Sequence, residues 1–175
     1  MKKISFSDRL GQTNAVLEGF KTMTRRVNAW GFTDGKPDIT KSEYKVGDIV
    51  AISQSYLDIH NEKRLGKFNL SIYEGLKEYG PKSRGWTNKC LVKPDAMPHR
   101  IKITDVRLER LQDISEEDCI KEGIIQSGVL FFTPYNLYNP ISDARTAFEM
   151  LMEELEKGIW QRNPYVYVYS FELLQ

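Results

Sequence analysis

Tyr165-Val-Tyr-Val-Tyr-Ser-Phe171 is the most strand-like stretch of the chain. Aromatic residues take every second position and Val166 and Val168 the positions between, so an extended backbone carries apolar side chains on both faces. A strand of that kind is covered on both sides, which predicts a central place in a sheet. Asn163-Pro164 ahead of it reads as a turn. Before the turn, a helix is expected over about 143–157, with Ser142 as its cap. Its apolar stripe is Ala144, Phe148, Leu151 and Leu155, and Gly158 is its end.

Working outward, Ile101–Leu108 alternates well enough for a second strand. Ser115 follows as an N-cap, with Asp118 three residues on and Ile114 and Cys119 placed as a hydrophobic staple; Gly123 closes that short helix. Tyr44-Lys-Val-Gly-Asp48 reads as a tight turn feeding a buried strand, Ile49–Ile52, with Gly47 supplying positive φ. A first helix is expected over 8–18 on Leu10, Val16, Leu17 and Phe20, ended by Gly19, and Trp30–Thr40 is read as loop with Asp34-Gly35 as a turn. Residues 53–97, broken by Gly66, Gly75, Gly80, Gly85, Pro81 and Pro94, read as an irregular insertion too poor in apolar residues for a core of its own. Strands separated by helices and long loops, with no βαβ rhythm, predict an α+β fold: one domain over 1–175 forming a small mixed β-barrel. The strand at 165–173 is expected inside it and 53–97 across one mouth as a lid.

Composition bounds the function classes. The chain has 175 residues, 28% charged and 41% hydrophobic, an ordinary globular balance. No apolar run approaches the roughly 18 residues of a membrane span. Met1–Asp8 has a basic start with no apolar stretch behind it, so no signal peptide is expected and the chain is read as cytoplasmic. Cys90, Cys119, His60 and His99 show no zinc-site spacing, and neither a metal nor a cofactor is expected. The net charge is +1, but residues 77–102 hold seven Lys/Arg against Glu78 and Asp95, and residues 113–122 hold five carboxylates against Lys121. These are either two solvated faces or a basic lip for phosphates beside an acidic edge.

Gly19-Phe-Lys-Thr-Met-Thr-Arg-Arg26 is the stretch that carries chemistry. Lys21, Thr22, Thr24, Arg25 and Arg26 offer cations and hydroxyls directly after a helix-ending glycine, a set suited to a phosphate or a polarised carbonyl. The wording Gly-x-Lys-Thr-x-Thr-Arg resembles the signature of the ASCH domain family, relatives of the PUA-like RNA-binding barrels. The likeness continues in order through Tyr44–Asp48, Arg100–Arg107, Leu111–Ile124 and Asn163–Val168, and covers the chain except 53–97.

The resemblance implies a PUA-like barrel with flanking short helices and a cleft lined by the Gly-x-Lys-Thr segment. In the family's enzymatic branch, small amidohydrolases deacetylate acetylcytidine with a Lys, a Thr and a Glu, which fall here on Lys21, Thr24 and Glu122. The chemistry is coherent: a desolvated Lys21 takes the Thr24 proton, Thr24 attacks the acetyl carbonyl, Glu122 protonates the departing amine, and Arg25 faces the oxyanion. Thr22, Arg25, Arg26, Trp86 and Arg100 are the candidate ligand-binding residues. Trp30, Tyr56, Trp86 and Trp160 are the aromatics able to stack a base. The expected function is binding of RNA or a modified nucleoside in this cleft. Its alternatives are an amidohydrolase acting on a modified cytidine, or a protein-interaction module whose basic lip docks an acidic partner.

Overall fold

A computed structural model describes residues 1–27, 31–33, 36–64 and 78–174. The aromatic stretch forms β10, Tyr165–Leu174, with Val166, Tyr167, Val168, Tyr169 and Phe171 all buried. It lies between β6 (Arg100–Arg110) and β2 (Met23–Arg26), the central place its two apolar faces demand. It pairs antiparallel with β2, setting Val168 opposite Arg25 and Tyr169 opposite Thr24.

The fold is α+β, and the described chain resolves into two compact units. The second comprises Ser7–Asp48 and Ile103–Leu173. In it α1 (Gln12–Leu17), α3 (Glu116–Lys121), α4 (Ala144–Leu155) and α5 (Ile159–Arg162) accompany the strands. Leu10, Met23, Leu111, Ile114, Cys119, Phe148, Leu151, Trp160 and Val168 belong to one apolar cluster that holds these elements together. Ser115 caps α3 by accepting from the Asp118 N–H at 3.2 Å, and Gly123 follows at φ 99, both where the sequence puts them.

The first unit gathers Met1–Phe6, Ile49–Lys102 and the end of the chain. Here β1 (Lys2–Ile4) runs parallel to β5 (Ile49–Ile52), and β5 pairs antiparallel with the start of β6. The turn before β5 has Gly47 at φ 89, and Val50, Ala51 and Ile52 are fully buried, as the apolar run requires. Among the described residues, no pairing closes the strands into a barrel; β1 and β2 each have one strand partner.

Several elements differ from the sequence reading, each for a local reason. Residues 53–97 do have a core: Tyr56, Ile59, Val92 and Met97 cluster with Ala51 of β5, with Tyr79 and Trp86 packed against them. Its members come from the two ends of the segment, Tyr56 and Ile59 on one side and Val92 and Met97 on the other, so no local run of apolar residues marks it. Its described part contains α2 (Tyr56–Arg64) and single 3-10 turns at Lys89–Leu91 and Pro94–Ala96. Gly66 and Gly75 lie outside the described residues.

The first helix is shorter than 8–18 because Gly11 at φ 67 interrupts it, and Phe20 is 63% exposed rather than part of a stripe. Asp143, not Ser142, caps α4, accepting from the Thr146 N–H at 2.8 Å. Its Leu155 is exposed, and Gly158, at φ 75, leads into α5. Phe32–Thr33 and Lys36–Pro37 (β3 and β4) pair within the expected loop; its Asp34-Gly35 turn lies outside the described residues. Finally, β7 (Ile125–Ser127), β8 (Leu130–Thr133) and β9 (Asn136–Ile141) form an antiparallel meander that the sequence reading did not place. Its strands are short, and Pro140 within β9 argues against a strand.

Candidate functional site

The Gly19–Arg26 segment is fixed by its backbone before its side chains come into play. Gly19, at φ 80, ends α1, and the Lys21 N–H then donates to the Ala15 carbonyl at 2.9 Å. Thr22 donates to the Lys121 carbonyl of α3 at 2.8 Å and accepts from the Phe171 N–H of β10 at 2.9 Å. The chain is thus pinned between a helix and a strand as it enters β2.

This pinning delivers Lys21 to Glu122, the residue that terminates α3. Lys21 Nζ donates to the Glu122 carboxylate at 2.5 Å and to the Glu122 main-chain carbonyl at 2.7 Å. Both side chains are almost completely buried. Burial pulls the Lys21 ammonium below the ordinary lysine value, outweighing the opposing pull of Glu122; Arg26 and Arg25 push the same way as burial. Gly123, directly after Glu122, has φ 99, a backbone conformation that favours glycine.

Arg25 spends every donor it has. Its Nε and Nη2 both reach Glu109 Oε1, at 2.9 and 2.6 Å, and Nη2 also donates to Asp118 Oδ2 at 2.9 Å. Nη1 donates to Glu122 Oε1 at 3.2 Å and contacts Met23 Sδ at 3.4 Å. A guanidinium has five N–H groups, and these contacts use them all. Arg107 closes the network from β6 through Glu109 at 3.0 Å and a direct contact with Asp118. Burial opposes the Asp118 charge, yet the Arg25 hydrogen bond and the Arg107 charge together hold its carboxyl below the ordinary range. Asp118, Glu109 and Arg107 are site residues that the sequence reading did not single out. Arg107 and Glu109, two apart on one strand, share a face, which is the signal that was available.

The structure therefore brings Lys21, Arg25 and Glu122 together. Thr24 is placed otherwise. Successive side chains of a strand alternate, so Thr24 shares its face of β2 with Arg26, whereas Met23 and Arg25 share the other. Among the described residues, no hydrogen bond joins the Thr24 hydroxyl to Lys21 or Glu122, and Thr22 is exposed. Trp86 and Arg100 belong to the first unit, where Trp86 packs against its apolar cluster and Arg100 pairs with Ala51. Trp160 and Tyr56 are buried in the apolar clusters of the second and first units, and Trp30 lies outside the described residues. Burial pushes the Cys119 thiol up to about 12, so it is a packing residue.

At the C-terminal end of β2 the same segment floors a cavity of about 640 Å³. Arg25, Arg26, Glu43 and Glu156 are its charged lining residues, and Met152, Ile159 and Tyr169 are among its other walls. Glu43 and Tyr169 were not foreseen as site residues. Among the described residues, no group of three His, Cys, Asp or Glu side chains is arranged to hold a metal, and no helix is long and apolar enough to cross a membrane. Comparison with models of known protein families, with curated proteins and with solved structures gives no match to this chain.

Proposed function

We propose that the chain binds RNA or a modified nucleoside, taking one base-sized group into the cavity lined by Arg25, Arg26 and Val27, which follow the Gly-x-Lys-Thr residues in the chain. The observation that carries this reading is the cavity itself. Its volume falls within the roughly 300–1,000 Å³ of small-molecule sites, and its walls combine apolar side chains with a few charged ones, as such sites do. Val27, Met152 and Leu155 suit the face of a flat ring, and Arg26, Glu43 and Glu156 suit its polar edge. Arg25 is committed to three carboxylates, so its part is to fix the floor. The likeness to the ASCH domain family, and with it a PUA-like arrangement, belongs to the same proposal. The test is calorimetric titration with acetylcytidine, cytidine and uridine. Saturable binding that is lost when Leu155, an exposed wall residue, is changed to Trp supports the reading, and heats no larger than dilution refute it.

A second reading is amide hydrolysis, favoured by one observation: the buried Lys21 ammonium, which burial pulls below its ordinary value, donates to the Glu122 carboxylate at 2.5 Å, a contact across which a proton can pass. Acetate release from acetylcytidine, absent in Lys21→Arg, is its signature, because arginine keeps the charge but cannot act as a base. Thr24→Val checks the nucleophile: turnover that survives it removes Thr24 from the chemistry.

A further inference from the structure

The two units carry opposite charge. Of the 25 Lys/Arg of the chain, twelve fall in the first unit, against five of the 24 Asp/Glu, which makes it +7; the remainder gives the second unit −6. A net charge of +1 conceals this partition. Phosphate polymers respond to local rather than total charge, over about a Debye length of 8–10 Å.

Within the first unit, the segment from Tyr79 to Lys93 joins those cations to aromatic rings. Tyr79 stacks on Tyr56 with ring centroids 4.3 Å apart and 14° between planes. Lys93 Nζ lies over the Tyr79 ring, 5.4 Å from its centre, while the Lys93 N–H donates to the Tyr56 hydroxyl at 2.9 Å. His60 bridges to the next ring: its Nε2 is 3.1 Å from the Tyr79 carbonyl and its ring is 5.0 Å from that of Trp86. Tyr79 and Trp86 are each half-buried, at the surface of the unit. The turn between them carries Lys82 and Arg84, both exposed. Glu78, which interacts with Tyr79 and Lys93, supplies a countercharge at the edge of the patch. Lys89 is different, because its ammonium donates to the Phe6 carbonyl and ties the segment to the N-terminal strand.

We propose that this patch docks single-stranded nucleic acid. Lys82, Arg84 and Lys93 take phosphates, and Tyr79 and Trp86 offer surfaces on which bases stack. Cations alternating with partly exposed rings are the combination that single strands need, since the phosphates supply affinity and every base has a face to stack. The patch lies wholly in the first unit and does not involve the cavity. It rests on the reading above only in taking the partner to be a nucleic acid.

The probes are fluorescently labelled oligouridine and oligodeoxythymidine of roughly twelve nucleotides, a length within the range of known single-strand sites. Anisotropy titrations are run at a series of salt concentrations. Binding of either probe is expected, with affinity falling steeply with salt; preference for the RNA probe assigns a role to the 2′-hydroxyl, and equal binding assigns none. Lys82→Ala, Arg84→Ala and Lys93→Ala combined should flatten the log–log salt slope by about 2, at roughly 0.7 per neutralised phosphate. The melting temperature should hold, because all three side chains are exposed. Tyr79→Leu should weaken binding several-fold and Tyr79→Phe should restore it. Leu155→Trp, which blocks the cavity, should leave oligonucleotide binding unchanged, so this proposal and the cavity reading fail separately. No binding of either probe at low salt, or an unaltered slope in the triple variant, overturns the proposal.

Discussion

Lys21 Nζ donates to both the carboxylate and the main-chain carbonyl of Glu122, a residue 101 positions away in the sequence. The bond joins the segment leading into β2 to the residue that follows α3, inside the second unit. Because Arg25 holds the other carboxylate oxygen of Glu122, one acidic residue faces two buried cations.

That arrangement sets the first prediction. Glu122→Ala leaves Lys21 and Arg25 with one counterion fewer in a site that excludes water. Removing one partner of a buried pair typically costs about 3–5 kcal/mol. Urea unfolding followed by circular dichroism should show a loss of that order. Glu154→Ala, which breaks an exposed pair with Arg9, should barely move the midpoint. Equal effects of the two substitutions would mean that the buried network contributes nothing beyond a surface pair.

The pH dependence of the network follows from Asp118. Its folded-state pKa is depressed below the ordinary 3.8, so the folded protein binds fewer protons than the unfolded chain as pH falls. The stability it contributes is therefore fully present above that value and is lost as pH drops through the lower, folded-state pKa. Asp118→Asn should be less stable than the parent by a constant amount near neutrality, and the gap should close in acid. A gap that is independent of pH down to acid unfolding contradicts the assignment.

Thiol chemistry checks the packing around α3. Cys90 is exposed and Cys119 is buried, with its thiol raised to about 12. With Ellman's reagent in mild base, one thiol should react promptly and the second only after denaturant is added. Cys90→Ser should abolish the prompt phase; prompt reaction of both thiols in the parent would show that the α3 packing is looser than described.

Much of this arrangement was written locally in the sequence. The two-faced apolar run of β10, the Gly47 turn and the Ser115 cap are signals spanning a few residues, and each lies where it was read. The Lys21–Glu122 pair came from the family likeness, since no local pattern connects residues 101 apart. The arginine network was not read, because saturation of Arg25 depends on Glu109 and Asp118 arriving from different elements. The meander over β7–β9 escaped for another reason: its strands are short and Pro140 sits within β9. The core under 53–97 has no local signal because Tyr56 and Ile59 meet Val92 and Met97 from the far end of the segment. Alternation along β2 was readable and places Thr24 and Arg25 on opposite faces.

The central claim is that the cavity beside β2 receives a nucleoside, and one titration tests it most directly. Acetylcytidine is titrated calorimetrically into the parent protein and into Leu155→Trp, a change at an exposed position of α4 that adds bulk to the cavity wall. The prediction is saturable binding by the parent, at least tenfold weaker binding by the variant (about 1.4 kcal/mol) and the same melting temperature for both. Parent and variant binding with equal affinity would contradict the claim, because the ligand would then sit somewhere other than this cavity.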